Sequence, residues 1–215
     1  MRTLVVSGGE FNEKFIRNLL AKINYDFIIA VDRGLWYTHK LGLVPSLIVG
    51  DFDSVDNRYL AGYDRKIIRQ FRPEKDDTDT EIAMREAVKI GNPVDIVCAT
   101  GGRVDHLLGN IHVLKIALDA GIQARLIDGQ NVIMLKDSAF EIEKENCQGK
   151  YFSLLPFEGT VSNIKLKGFK YNLDGYDLKP GVTRCISNEI TDSTANVEFD
   201  KGVLIVINSS DVESE

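Results

Sequence analysis

Hydrophobic positions along the first 128 residues change period in a regular way. Arg2–Ser7 is a β-branched apolar run. Asn12–Asn24 then places Phe15, Leu19, Leu20 and Ile23 at helical spacing. Phe27–Asp32 reads as a strand, Arg33–Gly42 as a helix closed by glycine, and Leu47–Asp51 and Lys66–Phe71 as two more strands. Thr78–Gly91 is helical with Ile82, Ala83, Ala87 and Ile90 inward, and Thr78-Asp79-Thr80-Glu81 has the form of a capping box. Asp95–Thr100 predicts a strand, Asp105–Gly121 a helix, and Ala124–Asp128 a strand. Short strands that are apolar on both sides, alternating with helices, predict a mostly parallel sheet covered by helices on both faces.

Near residue 129 the rhythm becomes one of strands only: Asn131–Lys136, Tyr151–Phe157, Thr160–Leu166, Thr194–Phe199 and Val203–Asn208. Glycines and polar turns separate these runs. The expected organisation is α/β over 1–128, followed by an antiparallel β-sandwich domain over 129–215.

Composition narrows the function classes. The chain has 215 residues, 44% of them hydrophobic, which suffices for a real core. No apolar run has the length of a membrane-spanning helix. The opening residues read as a strand entering glycines rather than as a leader. Three scattered cysteines without a CxxC pair argue against a zinc site and suit a reducing compartment, so a cytoplasmic protein is expected. A net charge of −6, from 32 acidic against 26 basic residues, argues against nucleic acid as a partner.

The acidic residues gather where chemistry is expected. Ligands of open α/β sheets bind beyond the carboxyl ends of the strands. The second predicted strand ends in Asp32-Arg33-Gly34 and the third in Gly50-Asp51-Phe52-Asp53-Ser54. The fourth leads into Arg72-Pro73-Glu74-Lys75-Asp76-Asp77-Thr78-Asp79. The fifth leads into Gly101-Gly102-Arg103-Val104-Asp105-His106. So many carboxylates at one sheet edge repel one another unless a cation neutralises them. Hard oxygen donors favour magnesium over zinc, and magnesium points to a phosphate-bearing substrate. Gly101-Gly102 lets backbone N–H groups approach phosphate oxygens, while Arg103, Lys75 and Arg72 add positive charge. Together these are the parts of a phosphoryl-transfer site. Neither a Walker A sequence nor GxGxxG is present.

In these motifs the chain resembles the thiamine pyrophosphokinase family. Gly50-Asp51-Phe52-Asp53-Ser54, Lys75-Asp76-Asp77-Thr78-Asp79, Gly101-Gly102-Arg103-Val104-Asp105-His106 and Ile186-Ser187-Asn188-Glu189 occur in the family's order. Asp32-Arg33-Gly34, Gly109-Asn110 and Gly168-Phe169-Lys170-Tyr171 extend the resemblance over essentially the whole chain. It implies an ATP-binding catalytic domain followed by a thiamine-binding β-sandwich, in a homodimer with its active site between subunits. The implied reaction is magnesium-assisted attack of the thiamine hydroxyl on the β-phosphorus of ATP, giving thiamine diphosphate and AMP.

The resemblance implies the residue roles as well. Asp51, Asp53 and Asp79 fall to magnesium with Asp76 close by, and Asp53 and Asp76 lead as candidates for the base. Asp32, Lys75, Gly101, Gly102 and Arg103 fall to ATP. Asp105, His106, Ser187 and Asn188 fall to thiamine. Simpler readings stand beside these. Asp51 and Ser54 could cap a helix, Asp77 reads as a solvated charge, Arg103 could form a surface ion pair, and Ser187-Asn188 alone would be a turn. Arg33, Leu35 and Trp36 depart from the small residues usual after the family's strand-two aspartate. Tyr171 and Tyr176 are the aromatic candidates to accompany Ser187-Asn188. A metal-dependent phosphohydrolase and a non-catalytic ligand sensor are the competing readings.

Overall fold

The computed structural model describes residues 1–52, 57–60, 62–71 and 76–211. It divides into two compact units, Met1–Gly129 and Gln130–Glu215.

In the first unit β1 (Thr3–Val6), β2 (Phe27–Val31), β3 (Leu47–Gly50), β4 (Ile68–Gln70), β5 (Val94–Val97) and β6 (Ala124–Ile127) pair in the order β6-β5-β1-β2-β3-β4. Every one of these pairings is parallel. β1, β3 and β5 are buried along their whole length, as strands covered on both faces must be. The helices are α1 (Glu13–Lys22), α2 (Gly34–Leu41), the short α3 (Asn57–Leu60), α4 (Asp79–Ile90) and α5 (Val104–Asp119). Leu4 and Val6 of β1 pack with Ile16 of α1 and with Tyr37 and Leu41 of α2. α4 lies on β1, β2 and β3, α5 lies on β6, and the two helices pack on each other.

Local chemistry sets the helix limits. Asn12 caps α1, its side-chain oxygen accepting from Phe15 N–H at 3.0 Å. Thr78 caps α4 in the same way, accepting from Glu81 N–H at 3.2 Å, so the half of the capping box that the threonine supplies is present. Gly42 and Gly91 close α2 and α4 with φ of 71° and 80°. The predicted strand Asp95–Thr100 stops early, at Val97, because Cys98 turns into the left-handed region at φ 59°.

The second unit holds β7 (Asn131–Lys136), β8 (Phe140–Glu143), β9 (Tyr151–Pro156), β10 (Val161–Lys167), β11 (Leu173–Leu178), β12 (Asn188–Glu189), β13 (Thr194–Glu198) and β14 (Leu204–Ser209). β12-β9-β14-β7 and β11-β10-β13-β8 are antiparallel runs. Leu154 and Val206 from the first run share one core with Ile164, Leu166 and Val197 from the second, which makes the unit a sandwich. β8, β11 and β12 have no counterpart among the predicted strands. β12 has only two residues, and the register of β11 against β10 shifts twice, which breaks the alternation a strand reading depends on. Among the described residues no helix is long and apolar enough to cross a membrane.

Candidate active site

The chain runs β1-β2-β3-β4 toward one edge of the parallel sheet, then returns to place β5 on the other side of β1. Between β1 and β5 the two winding directions separate, and a crevice opens beyond their carboxyl ends. A cleft of about 1170 Å³ occupies this position. Its walls are the β1–α1 loop from Ser7 to Phe11, the end of β2 from Val31 to Arg33, Asp51, the start of α4 from Asp77 to Thr80, and the loop after β5 with Gly101, Gly102 and Arg103.

Strand ends at the cleft carry backbone strain. Asp32 after β2, Phe52 after β3 and Cys98 after β5 all have positive φ, at 47°, 63° and 59°. None is glycine, and each such conformation costs on the order of 1–3 kcal/mol, which concentrates at ligand sites. At Asp32 the cost is met by packing and hydrogen bonds: its N–H donates to Val49 C=O at 2.9 Å, and its C=O accepts from Leu35 N–H at 3.0 Å. Gly50 makes room for the carboxylate, since a Cβ there would fall on Asp32 Oδ1. Gly34 in turn lets α2 start against β1, where a Cβ would meet Val6 C=O.

Two loops of the cleft are tied to each other and to the scaffold. Gly9 N–H donates to Cys98 C=O at 2.8 Å. The Tyr37 hydroxyl donates to Gly9 C=O at 2.8 Å, and the buried Asn110 amide donates to Ala99 C=O at 2.8 Å. Ser7 and Thr80 share a buried hydroxyl–hydroxyl hydrogen bond of 2.9 Å, joining the end of β1 to α4. Burial raises the Tyr37 hydroxyl above its usual pKa and pushes the Cys98 thiol up to about 12, so both side chains are neutral at physiological pH.

The structure brings Asp32, Asp51, Asp79, Gly101, Gly102, Arg103 and His106 to the cleft. Asp77 lines it as well, whereas its neighbour Asp76 is exposed and not among the lining residues. Asp105 lies outside the main cleft, in an adjoining groove of about 410 Å³ that His106 also borders. Its carboxylate accepts two hydrogen bonds from Arg103, at 3.0 and 2.5 Å, and that bonding pulls the Asp105 carboxyl down to about 2. Arg103 is thus held by an exposed ion pair at the rim of the glycine loop. Asp53 and Lys75, with Ser54 and Arg72, fall outside the described residues.

Ser187 and Asn188 belong to the second unit. Ser187 is exposed at φ 57°, and its N–H donates to the buried Ser153 hydroxyl at 2.9 Å. Asn188 is buried and bonded on both sides of its amide. Oδ1 accepts from Tyr171 N–H at 3.0 Å and from Glu189 N–H at 2.9 Å, and Nδ2 donates to Tyr171 C=O at 2.8 Å. Asn188 therefore holds the backbone of Tyr171, a residue that is itself 62% exposed.

Sequence reasoning gave no site role to the Ser7–Phe11 loop or Tyr37 and read Thr80 only as part of a capping box. A signal for the loop was present, because Ser7-Gly8-Gly9 follows an apolar strand directly. Nothing local marks Tyr37 or Thr80, which reach the cleft only when their helices pack.

The donor chemistry fits a magnesium ion: Asp32, Asp51, Asp77 and Asp79 bring hard carboxylate oxygens to one cleft. Among the described residues, no three His, Cys, Asp or Glu side chains are close enough to form a finished cage. Magnesium tolerates this, since it keeps several waters and borrows phosphate oxygens from its substrate.

A switch-point cleft of carboxylates, glycine loop and arginine, on a parallel sheet followed by a β-sandwich, defines a two-unit α/β ligand-binding protein. Comparison with known proteins resolves the class further. Residues 19–126 match the family model of the thiamin pyrophosphokinase catalytic domain, and residues 138–204 match that of the thiamin pyrophosphokinase vitamin B1 binding domain. The thiamine pyrophosphokinase of Bacillus subtilis is 36% identical over 217 residues, covering 98% of this chain and all of that protein. The crystal structure of a Bacillus subtilis thiamine pyrophosphokinase superposes with a TM-score of 0.87 at 33% identity, covering 99% of this chain and 100% of the other. That of Geobacillus thermodenitrificans thiamin pyrophosphokinase gives 0.86 at 31%, covering 99% of each. The chain belongs to the thiamin pyrophosphokinase family.

Proposed function

We propose that the protein transfers a pyrophosphoryl group from ATP to the hydroxyl of thiamine, giving thiamine diphosphate and AMP. The observation that carries this reading is the switch-point cleft, which joins Asp32, Asp51 and Asp79 to the Gly101-Gly102-Arg103 loop in a chain of this family. Residues 1–128 form the ATP-binding catalytic part and residues 129–215 the thiamine-binding part.

Asp51, Asp53 and Asp79 would hold magnesium. The bound ion supplies positive charge against the phosphate oxygens and polarises the phosphorus under attack. Gly101 and Gly102 receive the phosphates on backbone N–H groups, with Arg103 and Lys75 adding charge where it develops. Arg103 is already oriented by Asp105, which lowers the entropy of ordering it on the phosphate. Asp32 fixes the nucleotide side of the cleft. The thiamine hydroxyl is a weak nucleophile, and Asp53 or Asp76 takes its proton. Asp105 and His106 in the first unit, and Ser187 and Asn188 in the second, are assigned to thiamine. Of the last two, Ser187 offers an exposed hydroxyl, while Asn188 contributes by holding the Tyr171 backbone. A cytoplasmic homodimer with the active site between subunits completes the reading; sedimentation equilibrium of the purified protein checks the dimer.

The decisive experiment is AMP formation from ATP and magnesium, with and without thiamine, with mass detection of thiamine diphosphate. Equal yields of AMP and thiamine diphosphate are expected. Phosphate release that ignores thiamine would overturn the proposal in favour of a hydrolase, and ligand binding without turnover would favour a sensor.

A further inference from the structure

Glu10 is the cleft carboxylate for which the phosphoryl chemistry has no use. It stands in the loop after β1, across the switch point from the glycine loop after β5. Its side chain lies against Gly101: a Cβ at that position would fall on Glu10 Oε2 and 2.5 Å from Glu10 Cβ. A glycine beside the phosphate loop therefore leaves the space that a carboxylate fills. Five carboxylates (Glu10, Asp32, Asp51, Asp77, Asp79) already face two guanidinium groups (Arg33, Arg103) in this cleft. A further negative charge next to a polyphosphate weakens its binding unless the carboxylate accepts hydrogen bonds from another part of the same ligand.

Among the described residues Glu10 has no donor: its carboxylate makes no hydrogen bond or ion pair, and the side chain is exposed to the cleft. Yet the backbone around it is fixed. Gly9 is held through both its N–H and its C=O, by Cys98 and by the Tyr37 hydroxyl. Phe11 stacks on Tyr37 with ring centroids 4.4 Å apart and planes 6° from parallel, and it also lines the cleft. An acceptor without a donor sits in a fixed loop, next to an aromatic wall on one side and a glycine loop on the other.

We infer that Glu10 is a specificity-determining residue for the nucleoside part of the ligand. Its carboxylate accepts hydrogen bonds from the vicinal hydroxyls of the ribose, and the base packs toward Phe11. Tyr37 is the positioning residue that holds this loop. The inference rests on the proposal that the cleft binds ATP.

The test is calorimetric titration, without thiamine, of wild type, Glu10→Gln and Glu10→Ala with the magnesium complexes of ATP, 2′-deoxy-ATP, 3′-deoxy-ATP and tripolyphosphate. Wild type is expected to prefer ATP over at least one deoxy analogue by about tenfold or more, because a site built to accept from a hydroxyl rejects a ligand lacking it. Both variants should lose that preference and bind ATP about tenfold more weakly, with tripolyphosphate bound as tightly as before or more tightly. ATP bound equally or more tightly by the variants would overturn the inference, since simple charge repulsion predicts that sign. Parallel loss of ATP and tripolyphosphate would also overturn it, making Glu10 a group of the metal or phosphate site. The outcome is separable from that of the proposed reaction. Hydroxyl-dependent ATP binding without thiamine turnover strikes the reaction alone, and thiamine turnover without a Glu10 effect strikes only this inference.

Discussion

At the scale of single residues, the cleft depends on atoms that leave no tolerance for small additions. The backbone of Gly50 is not left-handed, so the obstacle to a side chain there is Asp32, whose Oδ1 occupies the place of a Cβ. Gly50→Ala is expected to displace that carboxylate and lower thiamine-dependent AMP formation by up to about 10²-fold, as misplacement of about 1 Å does to reacting groups. Asp79→Asn keeps the shape of the side chain and removes its charge. We expect turnover to fall roughly 10²–10³-fold. Its melting temperature should move by less than about 3 °C, the size of a 1 kcal/mol change in a chain of this length. Unchanged thiamine-dependent AMP formation would remove Asp79 from the metal site. Cys98 makes a different kind of prediction. Burial pushes its thiol up to about 12 from an ordinary value of 9.0. The folded chain keeps a proton that the unfolded chain releases, so this contribution is complete below pH 9 and is lost as pH rises toward 12. Relative to Cys98→Ala, wild type should lose roughly 1 kcal/mol between pH 7 and pH 10 in urea unfolding.

At the scale of elements, the two ends of the parallel sheet have opposite duties. Beyond the carboxyl ends lie the strained residues and loops of the cleft. Near the amino end of β5, the fully buried Asp95 is saturated with partners. Arg125 of β6 donates two hydrogen bonds at 2.7 and 2.8 Å, Arg2 donates at 3.1 Å, and the Tyr25 hydroxyl donates at 2.8 Å. Burial, followed by the charge of Asp95, pushes the Tyr25 hydroxyl far above the ordinary tyrosine value, so it stays a donor. Asp95→Ala leaves two guanidinium groups without their buried acceptor; both still reach solvent in part, so the cost should be about 3 kcal/mol, the low end for breaking a buried pair. Tyr25→Phe removes one neutral donor to a charged group and should cost about 1.5–3 kcal/mol. Both are read from denaturant midpoints. Because neither residue lines the cleft, the ATP affinity of the protein that remains folded should be unchanged.

At the scale of the whole molecule, the charge balance of the cleft governs the conditions for function. Its described carboxylates outnumber its described arginines, so the proposed polyanionic substrate is expected to need a divalent cation for binding. Chelation with EDTA is expected to abolish both ATP binding and AMP formation, and added magnesium to restore them. ATP binding that survives chelation would mean that Arg103 and the glycine loop suffice. The proposed division of labour between the units would follow from their construction: a parallel sheet offers a switch point, and a β-sandwich offers loops held by buried side chains such as Ser153 and Asn188.

The amino-acid sequence by itself determined the alternation of strand and helix up to β6, the change to β structure after it, and the placing of Asp32, Asp51 and Gly101-Gly102 at strand ends. These are local properties, since periodicity and punctuation need only near neighbours in the chain. The places of Asp79 and Arg103 at the cleft were legible because their motifs are contiguous. Tertiary structure decided the rest. Glu10 faces Gly101 across 91 positions of sequence, and Tyr37 reaches Gly9 only because α2 packs on β1. Asp77 lines the cleft and Asp76 does not, a choice set by how the chain enters α4. Asn188 turns inward to bond the backbone of Tyr171. Contacts of this kind join residues far apart in the chain, and no local pattern encodes them. They are fixed by the packing of elements whose order in space differs from their order in sequence.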